Sequence, residues 1–94
     1  MFNDAVILIT GGTGSFGKKF VSMTLKKFNP RKLIVFSRDE IKQWEMSKDY
    51  EKDSRIRFFI GDVRDKDRLH RALQGVDVSV RHPESFGAIL DITT

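Results

Sequence analysis

An apolar run, Ala5 to Ile9, passes directly into Thr10-Gly11-Gly12-Thr13-Gly14-Ser15-Phe16-Gly17-Lys18, and this junction restricts the fold more than any other stretch of the chain. A run that is apolar at every position suits a parallel strand covered on both faces. Gly11, Gly14 and Gly17 then meet three separate needs: a sharp turn, a close approach of backbone to a pyrophosphate, and tight packing of helix on strand. A helix opening near Ser15 would aim its first N–H groups and the positive end of its dipole at the anion. Taken alone, such a turn is either a phosphate cradle or a plain strand-to-helix turn.

The surrounding pattern favours the cradle. Phe16, Phe20, Val21, Leu25 and Phe28 recur at helical spacing, Asn29-Pro30 closes the segment, and Leu33 to Phe36 is a second short apolar run. Strand, glycine turn, helix and strand follow in the order of a dinucleotide-binding unit. A second helix is predicted from Asp39 to about Asp49, with Ile41 and Trp44 on one side, followed by a polar loop through Ser54 and a third strand, Ile56 to Ile60. Asp65 to Gln74 reads as a helix with Leu69, Ala72 and Leu73 facing inward and Gly75 ending it, and Val76 to Val80 as a fourth strand.

The order βαβαβαβ predicts an α/β fold, a Rossmann-like parallel sheet with two helices on one face and the third on the other. Residues 1–80 are expected to form a truncated half of that fold, a dinucleotide-binding half-domain, with 81–94 a divergent tail. The sheet should stop at the fourth strand, and with a single helix on one face, bare apolar strand surface should promote self-association or partial disorder. Phe86 to Ile92 would cover part of it by folding back.

A P-loop is the competing phosphate site, because Gly12, four residues, Gly17 and Lys18 match its first seven positions. The eighth is Lys19 where Ser or Thr must hold magnesium, and Ile60-Gly61-Asp62 is thin support for a second magnesium ligand. Composition narrows the remaining classes. Ninety-four residues allow one domain at most, burying about 60 to 65 % of the unfolded surface. Zero cysteines exclude disulfides and thiolate metal sites, so no metal centre is assigned and a reducing cytoplasm is the expected setting. No apolar run approaches the roughly 18 residues of a membrane span, and no signal peptide is visible. The net charge of +4 comes from Lys and Arg interleaved with 13 acids, a solvated mixed surface and not a nucleic-acid stripe.

The end of the second strand addresses the choice of cofactor. NAD sites place an acid there to take the ribose hydroxyls, whereas a basic residue accommodates the extra phosphate of NADP. Here Phe36-Ser37-Arg38 precedes Asp39, and a hydroxyl beside a guanidinium suits a phosphate, so NADP is favoured. Ser37-Arg38-Asp39-Glu40 also fits a helix capping box. Gly61-Asp62-Val63-Arg64-Asp65 follows the third strand at the ligand-binding edge of the sheet. Asp62 would accept from an adenine amino group with Val63 against the ring, or Asp62 or Asp65 would simply cap the next helix.

Thr10 to Lys18, Ser37 to Met46 (SRDEIKQWEM) and Arg57 to Leu69 (RFFIGDVRDKDRL) together resemble the N-terminal part of the inverting UDP-N-acetylglucosamine 4,6-dehydratases. These belong to the extended short-chain dehydrogenase/reductase family and are similar to polysaccharide-biosynthesis and pseudaminic-acid-pathway enzymes. The resemblance covers Met1 to about Val80 and is carried by SRDE-x-KQ and GDVRD. It implies that Thr13, Gly14, Ser15 and Phe16 contact the NADP phosphates, and that Ser37, Arg38, Asp39, Glu40, Ile41 and Lys42 surround the adenosine ribose and its 2'-phosphate. Asp62 and Val63 would hold the adenine. The implied chemistry is that of a lyase: oxidation at C4 of the sugar, loss of water across C5 and C6, and return of the hydride to C6 from the same cofactor.

After the fourth strand the resemblance ends. Family members carry a His and an alanine-rich turn there, whereas this chain reads Val80-Arg81-His82-Pro83-Glu84-Ser85-Phe86, with His82 either a remnant of that His or a loop residue. The Tyr-x-x-x-Lys pair that exchanges protons with the sugar in this family is not found: the sole tyrosine, Tyr50, has Ser54 four residues on, and His70 lies between Arg68 and Arg71 on a surface helix. No catalytic residue is therefore assigned, and a UDP-sugar is expected as a partner only if the missing portion is supplied. Three readings remain: the NADP(H)-binding portion of a sugar-nucleotide dehydratase, a free-standing dinucleotide-binding regulatory module, and a nonfunctional fragment.

Overall fold

The computed structural model describes residues 2–11, 13–80 and 90–92. In chain order the elements are β1 (Val6–Thr10), α1 (Ser15–Lys27), β2 (Lys32–Ser37), α2 (Glu40–Ser47) with a 3-10 turn at Lys48–Tyr50, β3 (Ile56–Ile60), α3 (Lys66–Leu73), β4 (Val78–Val80) and β5 (Leu90–Ile92). The sheet order is β3-β2-β1-β4-β5, with the first four strands parallel. Every residue of β1 is buried, as the all-apolar run requires of a central parallel strand.

Alternation along the strands divides the core into two layers. Ile7, Ile9, Leu33, Val35, Ile56, Val78 and Val80 point to one face, where Val21 of α1 and Met46 of α2 cover them. Val6, Leu8 and Phe36 point to the other, where Ala72, Leu69 and Leu73 of α3 meet them. Two helices on one face and one on the other is the arrangement expected from the sequence, and the inward residues of α3 are the expected ones. Gly75 (φ +77°) ends α3 in the left-handed region, where a Cβ is disfavoured.

Two expectations need correction. The sheet does not stop at β4: Leu90–Ile92 adds an antiparallel edge strand, with Val78 opposite Ile92 and Val80 opposite Leu90. This part of the tail extends the sheet edgewise, because β4 otherwise presents an unpaired row of N–H and C=O groups; His82 and 86–89 lie outside the described residues. Nor is the strand surface bare. Among the described residues the exposed large apolar side chains are Met23, Ile41, Trp44 and Val63, none of them on β1 to β4. Ile41 and Trp44 do share one side of α2, and it is the side turned away from the sheet. They are 70% and 62% exposed, with Lys48 Nζ lying 3.6 Å over the Trp44 ring, whereas Gln43 and Met46 supply the buried face of α2.

The C-terminal end of α1 is held by a residue far along the chain. Arg55, just before β3, donates to the Leu25 carbonyl (Nη2, 3.3 Å), the Phe28 carbonyl (Nη1, 3.3 Å) and Asn29 Oδ1 (3.2 Å). Its Nη2 also pairs with Asp53 at 2.7 Å. A cation thus meets orphan carbonyls at the negative end of the helix dipole. We expect Arg55→Ala to lose about 1–2 kcal/mol, in line with charge-assisted hydrogen bonds, lowering Tm by about 5–10 °C in thermal unfolding. The hydrogen bonds from the Arg55 side chain hold the Asp53 carboxyl below its ordinary value of 3.8. Because this carboxyl is depressed in the folded state, its contribution is present above that value and fades only as pH falls through the lower folded one.

Candidate dinucleotide site at the carboxyl ends of the strands

β2 and β3 lie on one side of β1 and β4 on the other, so the strand order reverses at β1, and ligands of open α/β sheets bind at the carboxyl ends of the strands at such a point. A cleft of about 780 Å³ opens there. It is lined by Thr10, Gly11, Thr13 and Gly14 after β1, Phe36, Ser37, Arg38, Asp39 and Lys42 after β2, and Gly61, Asp62, Val63 and Arg64 after β3.

The turn after β1 is shaped by Gly11. Its N–H continues the sheet ladder to the Phe36 carbonyl at 2.9 Å, and its φ of +66° then swings the chain away so that Gly14 N–H reaches the Gly11 carbonyl at 3.2 Å. Gly14 is the N-cap of α1, with no side-chain cap and no acid in the first turn. The other two helices differ: Asp39 Oδ1 accepts from the Lys42 N–H (3.0 Å) at α2, and Asp65 Oδ1 from the Arg68 N–H (3.2 Å) at α3. Of the three helices, the one that opens on the cleft is therefore the one without a side-chain cap, and the positive end of its dipole lies at the cleft.

Both capping alternatives are thereby decided. At α2 the cap is Asp39 and not Ser37, because Ser37 is still the last residue of β2. At α3 the cap is Asp65, which leaves the Asp62 carboxylate for the cleft. Arg64 donates to Asp62 through its backbone N–H (2.9 Å to Oδ1), Nε (3.2 Å to both oxygens) and Nη2 (2.7 Å to Oδ2), and Arg38 Nη1 stands 3.6 Å from Oδ2. Arg64, by side chain and backbone, holds the Asp62 carboxyl well below the usual carboxylate range, with Arg38 adding its charge.

Of the residues singled out from sequence, Gly11, Thr13, Gly14, Ser37, Arg38, Asp39, Lys42, Asp62 and Val63 come together around the cleft. Ser15, Phe16, Gly17, Glu40 and Ile41 are not among its lining residues. Ser15 is exposed, Gly17 is buried in α1 and Phe16 stacks on Phe20 over the core, while Glu40 and Ile41 are exposed on α2. Tyr50 packs against the core layer that α1 and α2 cover and His70 is exposed on α3, neither one among the residues lining the cleft.

Two features escaped the sequence reading. Gln43, buried on α2, donates from Nε2 to the Ser37 carbonyl (3.2 Å), Ser37 Oγ (3.1 Å) and the Phe59 carbonyl (3.0 Å), tying the ends of β2 and β3 to α2. Its amide fixes Ser37 Oγ as an acceptor and leaves the hydroxyl proton free to donate. The signal was the Gln of SRDE-x-KQ itself, a polar residue at a sheet-facing helix position. The second is Gly61, where a Cβ would lie 2.7 Å from Phe36 Cζ and 2.8 Å from Arg68 Cγ.

Comparison with known proteins bears on what this cleft belongs to. A family model described as polysaccharide biosynthesis protein matches residues 7–83. The chain belongs to that family. It is 54% identical over 77 residues to an inverting UDP-N-acetylglucosamine 4,6-dehydratase of Campylobacter jejuni, covering 82% of this chain and 23% of the relative. It is 51% identical over 77 residues to an uncharacterized membrane protein of Methanocaldococcus jannaschii, covering 82% of this chain and 22% of the relative. Among solved structures it is similar to Pen from Bacillus thuringiensis, with a TM-score of 0.79, 37% identity and coverage of 84% of this chain and 24% of that one. Its fold is also that of a Bacillus anthracis dTDP-glucose 4,6-dehydratase solved with NAD, with a TM-score of 0.67, 24% identity and coverage of 82% of this chain and 26% of that one. The chain thus spans about a quarter of the length of these relatives, and it resembles the dinucleotide-binding region of sugar-nucleotide dehydratases. Among the described residues no helix is long and apolar enough to cross a membrane.

Proposed function

We propose that this chain forms the NADP(H)-binding portion of a UDP-N-acetylglucosamine 4,6-dehydratase of surface-polysaccharide biosynthesis, a cytoplasmic lyase, and that it does not catalyse dehydration alone. The observation that carries the cofactor choice is the division of labour after β2. The acid at this position, Asp39, lines the cleft but gives its Oδ1 to the cap of α2, while Ser37 and the 72%-exposed side chain of Arg38 line the cleft beside it. An NAD site would offer a carboxylate to the ribose hydroxyls; here a hydroxyl and a guanidinium await a phosphate.

In this reading the pyrophosphate rests at the N-terminus of α1, in contact with Thr13 and Gly14 and with Ser15 and Phe16 of the first helical turn. Ser37, Arg38 and Lys42 surround the 2'-phosphate, and Asp62 and Val63 receive the adenine. The cofactor, when bound, supplies the hydride that leaves C4 of the sugar and returns at C6. What these residues contribute is binding and orientation; the proton-exchanging pair and the sugar-nucleotide site are assigned to other sequence.

Arg38→Ala is expected to weaken NADPH binding roughly 10- to 100-fold, the range of one charge-assisted hydrogen bond, and to change NADH binding far less. Isothermal titration of both cofactors with both proteins measures this. Equal losses for the two cofactors would contradict the 2'-phosphate role, and turnover of UDP-N-acetylglucosamine by the purified chain would contradict its catalytic incompleteness.

A further inference from the structure

Asp62 carries two guanidinium partners of unequal grip. Arg64, two residues away in the same loop, engages both carboxylate oxygens through side chain and backbone, with its shortest contact at 2.7 Å. Arg38 reaches across from the loop after β2 and makes a single ion pair at 3.6 Å. Both guanidiniums are largely exposed, at 72% for Arg38 and 77% for Arg64, so either can move without unpacking the core.

We propose that Arg64 is a positioning residue that sets cofactor preference: as the standing counter-ion of Asp62, it frees Arg38 to leave that carboxylate for the 2'-phosphate of NADP(H). This inference rests on the NADP(H) reading above. Without Arg64, Asp62 would have Arg38 as its remaining partner, and drawing Arg38 onto a phosphate would strand a carboxylate in the same cleft as the incoming dianion. Arg38 would then be shared between two anions, and part of its attraction for the phosphate would be cancelled. NADH has no 2'-phosphate and nothing to gain from Arg38's release, so the effect falls on NADPH alone. Exposed single ion pairs contribute modestly, so the expected change is small and measurable.

The test is titration of NADPH and NADH into the 94-residue chain and three variants, Arg64→Ala, Asp62→Asn and the double variant. In Arg64→Ala the preference for NADPH over NADH should fall roughly two- to fivefold, the range for an exposed pair. In Asp62→Asn there is no carboxylate to detain Arg38, so adding Arg64→Ala should leave the preference unchanged. An equal fall in the Asp62→Asn background would mean that Arg64 touches the phosphate directly, and would overturn the proposal. So would an Arg64→Ala variant with the preference of the original chain. An original chain that binds both cofactors equally would overturn the NADP(H) reading and this inference together, which separates the two failures.

Discussion

Gly14→Asp is expected to leave the chain as stable as before, or slightly more so, and to abolish its dinucleotide binding. Gly14 has φ −81° and ψ −179°, a conformation open to any residue, and a Cβ there would meet only the Gly11 carbonyl at an ordinary 3.6 Å. An aspartate at this N-cap can accept from the first turn of α1 as Asp39 and Asp65 do on their own helices, gaining a few tenths of a kcal/mol over glycine. The same carboxylate would stand where the pyrophosphate rests. Like charges about 4 Å apart cost about 4 kcal/mol at an effective dielectric near 20, so NADPH affinity should fall about 1,000-fold. Thermal unfolding and titration on one preparation measure both effects. A large drop in Tm would show that the glycine serves the fold, and undiminished binding would remove the phosphate from this turn.

The second large effect concerns Gly61, and here stability should suffer first. An added methyl would press on Phe36, which is fully buried and stacked on Phe59 with centroids 5.7 Å apart. It would also press on Arg68, whose Nε bonds the Ile60 carbonyl at 2.8 Å and whose guanidinium lies 4.3 Å over the Phe59 ring. Neither neighbour can retreat without giving up packing or a hydrogen bond. Gly61→Ala should therefore cost roughly 1–3 kcal/mol, the usual penalty for overpacking, seen as a Tm lower by about 5–15 °C. An unchanged Tm would mean that the β3–α3 junction yields more easily than its contacts imply. Gly61 also opens the Asp62 loop, so any residual folded variant should bind NADPH less tightly.

The contrast between these two glycines shows what the sequence made legible. The strand, glycine turn and helix at the N-terminus were readable because each depends on neighbours in the chain: apolar continuity for β1, a positive φ at Gly11, helical spacing after Ser15. The face of α2 was not. Ile41 and Trp44 are spaced for one helix face just as Gln43 and Met46 are for another, and spacing alone does not say which face turns inward. The sheet chose the second, because three oxygens at the ends of β2 and β3 needed the donors of a buried amide. Arg55 at the end of α1 and Arg64 on Asp62 were invisible for a related reason, since charged pairs across loops leave no periodicity. β5 is three residues long and pairs only through its position beside β4.

The most direct test of the account is isothermal titration of the chain with NADPH and NADH, with circular dichroism on the same sample. The account predicts a folded chain that binds NADPH more tightly than NADH. A folded chain that binds neither, or binds both alike, would contradict it.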